Sequence, residues 1–282
     1  MSIAPLPDDD LAPLVELLSA RRIVALTGAG CSTESGIPDY RGGGRTGPRN
    51  PIQHDAFMKR ADVRRRYWAR ATLGWARFSG AEPNPAHRAL AALEEAGRVA
   101  GVITQNVDRL HQRAGSRRVV ELHGALADVT CLRCACNEPR RDLQARLLDA
   151  NPGWLETALD IQPDGDADLH PERVESFSVV ACRRCGGDLK PDVVFFGGSV
   201  SERTLAAAWE LFAEAEALLV VGSSLAVYSG FRFVHRAREQ ALPIAVVNVG
   251  PTRADDVAAV KLSAPAGTIL PRLAATLGAR SL

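Results

Sequence analysis

Five of the six cysteines in this 282-residue sequence fall in two short runs. Cys131-Leu-Arg-Cys134 has Cys136 two residues further on, Cys182-Arg-Arg-Cys185 is the second run, and Cys31 stands apart. Each CxxC run can place two thiolates on one tetrahedral ion, and two runs complete a closed four-sulfur site. The spacing predicts one structural Zn2+ on Cys131, Cys134, Cys182 and Cys185, with no open position for substrate. The alternative is a redox pair, but the βαβ setting of a thioredoxin-type CxxC is missing here. Cys136 reads as a free thiol or an alternative ligand.

Three further groups could do chemistry. Thr27-Gly-Ala-Gly30 follows an apolar run, and Gly28 and Gly30 would let the backbone approach a pyrophosphate closely. A helix starting near Ser32 would then offer its free N–H groups to that anion. Thr33 stands where the usual dinucleotide fingerprint has its third Gly or Ala, so by itself the run is either a nucleotide loop or a tight strand-to-helix turn. Asn106 and Asp108 follow a predicted strand and open a helix, where they can bind an amide and a ribose or simply cap the helix. His123, before Gly124 at a strand end, can be aimed into a cleft, and its ordinary pKa suits a general base.

The elements that must hold these groups alternate. Helices are expected over 9–20, 54–79, 86–96, 205–216 and about 229–240, with strands over 22–26, 99–104, 119–122, 217–221 and 244–248. Strands alternating with helices predict an α/β fold, a Rossmann-like parallel sheet with helices on both faces. Ligands of such sheets bind at the carboxyl ends of the strands, where Gly28, Gly222 and Asn248 lie. Residues 128–189, rich in cysteine and poor in periodicity, read as an inserted zinc-binding small domain, with 49–84 as its helical part. Residues 1–48, 85–127 and 190–282 then make up the Rossmann-like domain.

Composition narrows the partners. A net charge of +1 gives no electrostatic case for nucleic acid. No apolar stretch is long enough for a transmembrane helix, and the N-terminal residues fit neither a signal nor a transit peptide, so a cytoplasmic protein without membrane attachment is expected.

Taken whole, GAGCSTESGIPDYRG resembles the signature loop of the sirtuins. The resemblance implies NAD contacts from Gly28, Ala29, Gly30, Ser32 and Thr33, with Pro38, Asp39, Tyr40 and Arg41 forming a flap over the nicotinamide side. TQNVD at 104–108 is similar to a second family motif and adds Gln105, Asn106, Val107 and Asp108. ELHG at 121–124 matches a third and makes His123 the catalytic base, with Asn106 beside it. KPDVVFFGG at 190–198 reads as an apolar strand ending in two glycines and resembles the segment that lines the acyl-lysine tunnel, which implies Val193, Val194, Phe195, Phe196 and Gly197 as substrate contacts; the alternative is a buried core strand, in part for Val193 and Val194. Gly198 stands where the family usually has an acid. Gly222, Ser223 and Ser224, then Asn248, Val249 and Gly250, match family turns at the ribose and phosphate, and Ala266 aligns with a position at the adenine.

These motifs run in the family's order from about residue 10 to 275, with features of its class II branch. They imply an NAD-dependent protein-lysine deacylase that releases nicotinamide and O-acyl-ADP-ribose from acylated-lysine protein substrates. In that scheme the acyl oxygen attacks the ribose as nicotinamide leaves, and His123 takes a ribose proton. The rivals are a protein mono-ADP-ribosyltransferase and a non-catalytic NAD-sensing module. Tyr67 and Arg70 share a helix face; they read either as a grip on an acidic acyl group or as a basic helix face with one aromatic packed inward.

Overall fold

The computed structural model describes residues 11–39, 51–157 and 171–279. In chain order the first half holds α1 (Ala12–Leu18), β1 (Ile23–Thr27), α2 (His54–Lys59), α3 (Ala61–Ser79), α4 (Pro85–Glu95), β2 (Val99–Thr104), α5 (Leu110–Arg113) and β3 (Val119–Glu121). Next come β4 (Gly124–Cys131), β5 (Asn137–Pro139), α6 (Arg140–Asp149), α7 (Pro171–Ser176) and β6 (Leu189–Val193). The chain then returns through α8 (Glu202–Phe212), β7 (Ala217–Val221), α9 (Tyr228–Glu239), β8 (Ile244–Val247), β9 (Val260–Leu262) and α10 (Ala266–Thr276).

Six strands form one parallel sheet in the order β3-β2-β1-β7-β8-β9. Successive side chains of β1 point to opposite faces. Ile23 and Ala25 pack with Leu14, Leu90 and Leu270 of α1, α4 and α10, whereas Val24 and Leu26 pack with Phe212 and Phe233 of α8 and α9. All five residues of β1 are buried, which is why the strand reads as an unbroken apolar run. The chain leaves β1 toward β2 on one side and later adds β7 on the other. The sheet order therefore reverses at β1, and a crevice opens at the carboxyl ends of β1 and β7.

A second, antiparallel sheet has the order β5-β4-β6, with its register interrupted between Ala125 and Val129. Its core joins α3 and α6: Trp68, Phe57, Leu143, Leu147, Trp154 and Phe177 are all buried. Trp68 Nε1 donates to Leu189 O at 3.2 Å and Trp154 Nε1 to Ala69 O at 3.0 Å, so each indole finds a backbone partner. The buried Arg140 guanidinium lies over Trp68 and Trp75 at 5.3 and 4.8 Å.

Three elements differ from expectation. The long helix over 54–79 is broken at Arg60, whose backbone is extended (φ -120, ψ 119). The strand expected to run to residue 198 ends at Val193; beyond it Gly197 takes φ +79, and Phe196 forms an isolated bridge with Gln53. The helix expected near Ser32 is replaced by two short 3-10 turns, Ala29–Cys31 and Thr33–Ser35, closed by Gly36 at φ 80.

Candidate active site

The loop after β1 is pressed against the turn after β7. Gly28 N donates to Val221 O and Gly30 N to Gly222 O, at 3.0 and 2.8 Å. A Cβ on Gly28 would sit 2.8 Å from Ser223 Cβ, and one on Gly30 would sit 2.9 Å from Gly222 O. Both glycines are thus required by the contact between the two strand ends. Gly222 itself has φ +60, and a Cβ there would lie 2.2 Å from Cys31 N. Ser223 Oγ accepts from Gln105 Nε2 at 2.7 Å, which ties the end of β2 to the end of β7.

Asn106 is buried, and its amide is oriented by two bonds: Nδ2 donates to Gly28 O at 3.1 Å and to Ser32 Oγ at 3.0 Å. Its Oδ1 takes no hydrogen bond from the described residues, leaving an acceptor at the crevice floor. Ser32 gives its one hydroxyl proton to Asp108 Oδ2 at 2.7 Å. Its lone pairs are left for Asn106 and for His87 Nε2–H, 3.4 Å away. Burial pushes the Asp108 carboxyl up, while Leu110 N–H and Ser32 O–H oppose that shift. Asp108 Oδ1 also accepts from Leu110 N at 2.9 Å, at the first residue of the short helix α5.

His123 stands where β3 passes into β4. Gln105 O can only accept, so His123 Nδ1, at 2.9 Å from it, carries the ring proton. Nε2 is then a bare lone pair and accepts from Ser229 Oγ–H at 2.8 Å. Burial lowers the imidazole's pKa, against the pull of the Gln105 carbonyl, so the neutral form suited to a base prevails at neutral pH. Gly124 follows at φ +73, where a Cβ would fall 2.0 Å from Asp192 O. This glycine lets β4 cross close to β6. Val194 N donates to His123 O at 2.9 Å, which holds the segment after β6 beside the imidazole.

Beneath this surface lie Cys31, His87 and His111, all fully or nearly fully buried, with ligand atoms within 4.8 Å of one another. Their hydrogen bonds assign them to support. Thr27 Oγ1 donates to Thr104 Oγ1 at 2.8 Å, so it accepts from His111 Nε2–H at 2.9 Å. His87 Nδ1 accepts from Asn84 N at 3.2 Å, so both of its nitrogens are committed. Burial pushes the Cys31 thiol up and holds both imidazoles neutral, His87 down to about 4. Asn84, His87, Ser229, Thr27 and Thr104 were not among the sequence candidates. The only sequence signal for them is Asn84-Pro85 with His87 three residues on, which here forms a helix-capping pair.

The remaining candidates are distributed as follows. Ala29 is half-buried and Thr33 exposed in the loop after β1, with Pro38 and Asp39 partly buried beyond it. Tyr40 and Arg41 lie outside the described residues. Val107 is half-buried, and its carbonyl accepts from Leu126 N at 3.0 Å. Ser224 accepts from Arg253 N through its carbonyl at 3.1 Å. Asn248 is buried after β8 and donates to Val249 O and Gly250 O, at 3.0 and 3.2 Å, while Val249 is 69% exposed. Ala266 is buried at the start of α10. Val193 and Phe195 are buried, Val194 is half-buried, and Phe196 and Gly197 are exposed. Tyr67 is buried, edge-on to both Phe57 and Phe195 at 5.5 and 5.4 Å, whereas Arg70 is half-buried one turn further along α3.

The four cysteines Cys131, Cys134, Cys182 and Cys185 converge with their sulfurs within 4.8 Å of one another. A tetrahedral ion with Zn–S near 2.3 Å sets sulfur–sulfur edges of about 3.8 Å. Cys134–Cys182 is 3.8 Å and Cys131–Cys185 is 3.5 Å, so the donor set fits such an ion.

A parallel sheet with a crevice at its switch point, a neutral buried imidazole beside it and a four-thiol module define a Rossmann-like α/β protein with a metal-type insertion. Residues 28–229 match the Sir2 family, and the chain belongs to it. It is 50% identical over 273 residues to the NAD-dependent protein lipoamidase sirtuin-4, mitochondrial, of Bos taurus, covering 95% of this chain and 86% of that protein. It is 51% identical over 272 residues to NAD-dependent protein deacetylase 1 of Streptomyces coelicolor, covering 96% and 91%. A solved Sir2 structure with p53 peptide and NAD+ superposes with a TM-score of 0.76 at 33% identity, covering 95% of this chain and 98% of that one.

Proposed function

We propose that this protein is an NAD-dependent protein-lysine deacylase, with Asn106 and His123 acting in one crevice. The observation that carries this reading is the paired orientation of the two side chains. Asn106 spends both amide protons on the protein and keeps Oδ1 for a carboxamide donor, while His123 turns its Nε2 lone pair to a hydroxyl, here that of Ser229, which a ribose hydroxyl would displace. NAD, when bound, supplies the activated ribose carbon to which the acyl oxygen is transferred. The chain's part is placement: Gly28, Gly30, Gly222 and Ser223 shape the floor, Asn248 holds the far turn, and Asp108 and Ser32 keep Asn106 in register. His123 then accepts a ribose proton on Nε2, and the imidazolium formed stays hydrogen-bonded to Gln105 O.

The segment from Val193 to Gly197 borders His123, and we assign to it the acyl-lysine side of the site. Arg70, one turn along α3 from Tyr67, favours an acyl chain with a polar or acidic end. One Zn2+ on Cys131, Cys134, Cys182 and Cys185 holds the module that covers this side. The test is mass spectrometry of the protein with NAD and lysine peptides bearing acetyl, glutaryl-type, lipoyl or long-chain groups. Loss of an acyl group together with O-acyl-ADP-ribose is the expected result. NAD consumption with ADP-ribose left on protein, and no acyl loss from any peptide, would instead identify an ADP-ribosyltransferase.

A further inference from the structure

We propose that Cys136 is a spare zinc ligand, able to take the place of Cys182 or Cys134 on the ion; this rests on the zinc assignment above. The two CxxC turns are built alike. In the first, Ala135 N donates to Cys131 O at 3.0 Å and Cys131 N to Cys136 O at 2.9 Å. In the second, Gly186 N donates to Cys182 O and Cys182 N to Gly187 O, both at 2.9 Å. The residue after the second cysteine is left-handed in each, Ala135 at φ 54 and Gly186 at φ 69. Cys136 therefore occupies in the first turn the position that Gly187 holds in the second.

That position aims its side chain at the sulfurs. A Cβ built on Gly187 would lie 3.1 Å from Cys131 Sγ and 3.2 Å from Cys185 Sγ. It would also lie 2.7 Å from Arg133 Cβ, so the second turn has no room for a side chain there. The first turn has room and carries a thiol. Cys136 Sγ sits 3.2 Å from Cys134 Sγ and 3.4 Å from Cys182 Sγ, closer than Cys134 and Cys182 are to each other at 3.8 Å. The fifth thiol thus lies over the Cys134–Cys182 edge of the cluster, away from the other edge. The turn keeps this geometry with Ala135 at φ 54, a left-handed conformation that disfavours a non-glycine residue.

A ligand swap at that edge needs a small movement of one sulfur and leaves both turns folded. It binds the ion through the same chemistry: a thiol loses its proton and gains a Zn–S bond as the departing thiolate is released and protonated. The geometry makes the cluster asymmetric. Cys134 and Cys182 have a substitute, whereas Cys131 and Cys185 have none.

The test counts zinc per chain by native mass spectrometry on the full-length protein and its serine variants. Cys136→Ser and Cys182→Ser should each keep about one zinc per chain, whereas Cys131→Ser and the Cys182→Ser/Cys136→Ser double variant should lose it by about tenfold or more. In zinc-loaded wild type, Cys136 should react readily with N-ethylmaleimide; in Cys182→Ser it should be protected about tenfold. Release of zinc from the well-folded Cys136→Ser protein to a chelator should be about threefold faster than from wild type, because a detached sulfur is no longer replaced. If Cys182→Ser loses zinc as fully as the double variant, or Cys136→Ser releases it no faster than wild type, the spare-ligand role is wrong. Wild type that never retains zinc would instead overturn the zinc assignment itself.

Discussion

The two sheets hold their parts of the site by different means. In the six-stranded sheet every residue of β1, β7 and β8 is buried, because helices cover both faces. In the three-stranded sheet burial alternates along β4 and β6, and the register slips once. The first places Asn106, Ser223 and His123 by apolar packing and a closed set of hydrogen bonds. The second has one covered face, a small core and four converging thiols. Small units of this kind seldom bury enough apolar surface to stand alone and lean on metals or disulfides. The comparison teaches that cofactor-side geometry should survive damage to the cysteine module, whereas the acyl side should not.

The largest effect expected is metal loss. Structural zinc contributes on the order of 10 kcal/mol to the folding of a small module. Chelation, or Cys131→Ser, should remove hydrogen-exchange protection from residues 124–157 and 171–193 while amides of β1, β2 and β7 stay protected, and deacylation should vanish. Loss of protection throughout the chain at one chelator concentration would break the comparison. Next in size is His123→Ala. Removing a positioned base costs about a thousandfold in turnover, and here NAD affinity and thermal stability should change less than about twofold. Turnover that survives would remove the base assignment; lost NAD affinity would mean that His123 is part of the floor.

The division between the sheets also explains what could be read from the chain. Strands β1, β2 and β7 announce themselves as apolar runs followed by Gly or Thr-Gln-Asn, since burial on both faces removes every polar interruption. The cysteine pairs are legible because two CxxC runs have the spacing that lets four thiolates meet on one ion. Inside the module the helix α6 was hidden: Leu143 and Leu147 are its buried apolar residues, among arginines that include the stacked Arg140. The break at Arg60 and the 3-10 turns after Gly28 carry no composition signal, since no Gly or Pro marks the first and contact with Gly222 decides the second. Ser229 was invisible for a further reason. Its role comes from His123, more than a hundred residues away, which only the folded sheet brings near it.

Acid sensitivity sharpens the comparison within the large sheet. His87 is held neutral by burial, with its folded pKa lowered from 6.5 to about 4. An imidazole whose folded pKa is depressed costs nothing above its unfolded value. As pH falls below 6.5 the unfolded chain takes up the proton first, so stability declines until about pH 4 and then levels off. The total loss attributable to His87 is about 3 kcal/mol, and the lowered His111 acts in the same direction. Urea stability read from exchange of β1 and β2 amides should fall between pH 6.5 and 4.5, and the slope should flatten in His87→Gln. An unchanged slope would assign the acid sensitivity to groups other than His87, the buried His111 first among them.

The smallest effect expected is that of Ser229→Ala. Ser229 donates to the lone pair of His123 that must take the proton, at 2.8 Å, so the bond has to be given up or reversed when substrate arrives. The hydroxyl can rotate, donating to the neutral ring and accepting from the charged one, so its net pull on the imidazole pKa is small. What it fixes is direction: with Gln105 O on Nδ1 it keeps the ring plane facing the crevice. Losing one neutral hydrogen bond costs about 1 kcal/mol, which predicts a roughly fivefold drop in turnover with the acid limb of the pH–rate profile displaced by less than about half a unit. A large displacement of that limb would show that Ser229 tunes the base. No change in rate would show that Gln105 alone orients His123, and that the ends of β2 and β3 suffice to set the catalytic geometry without help from α9.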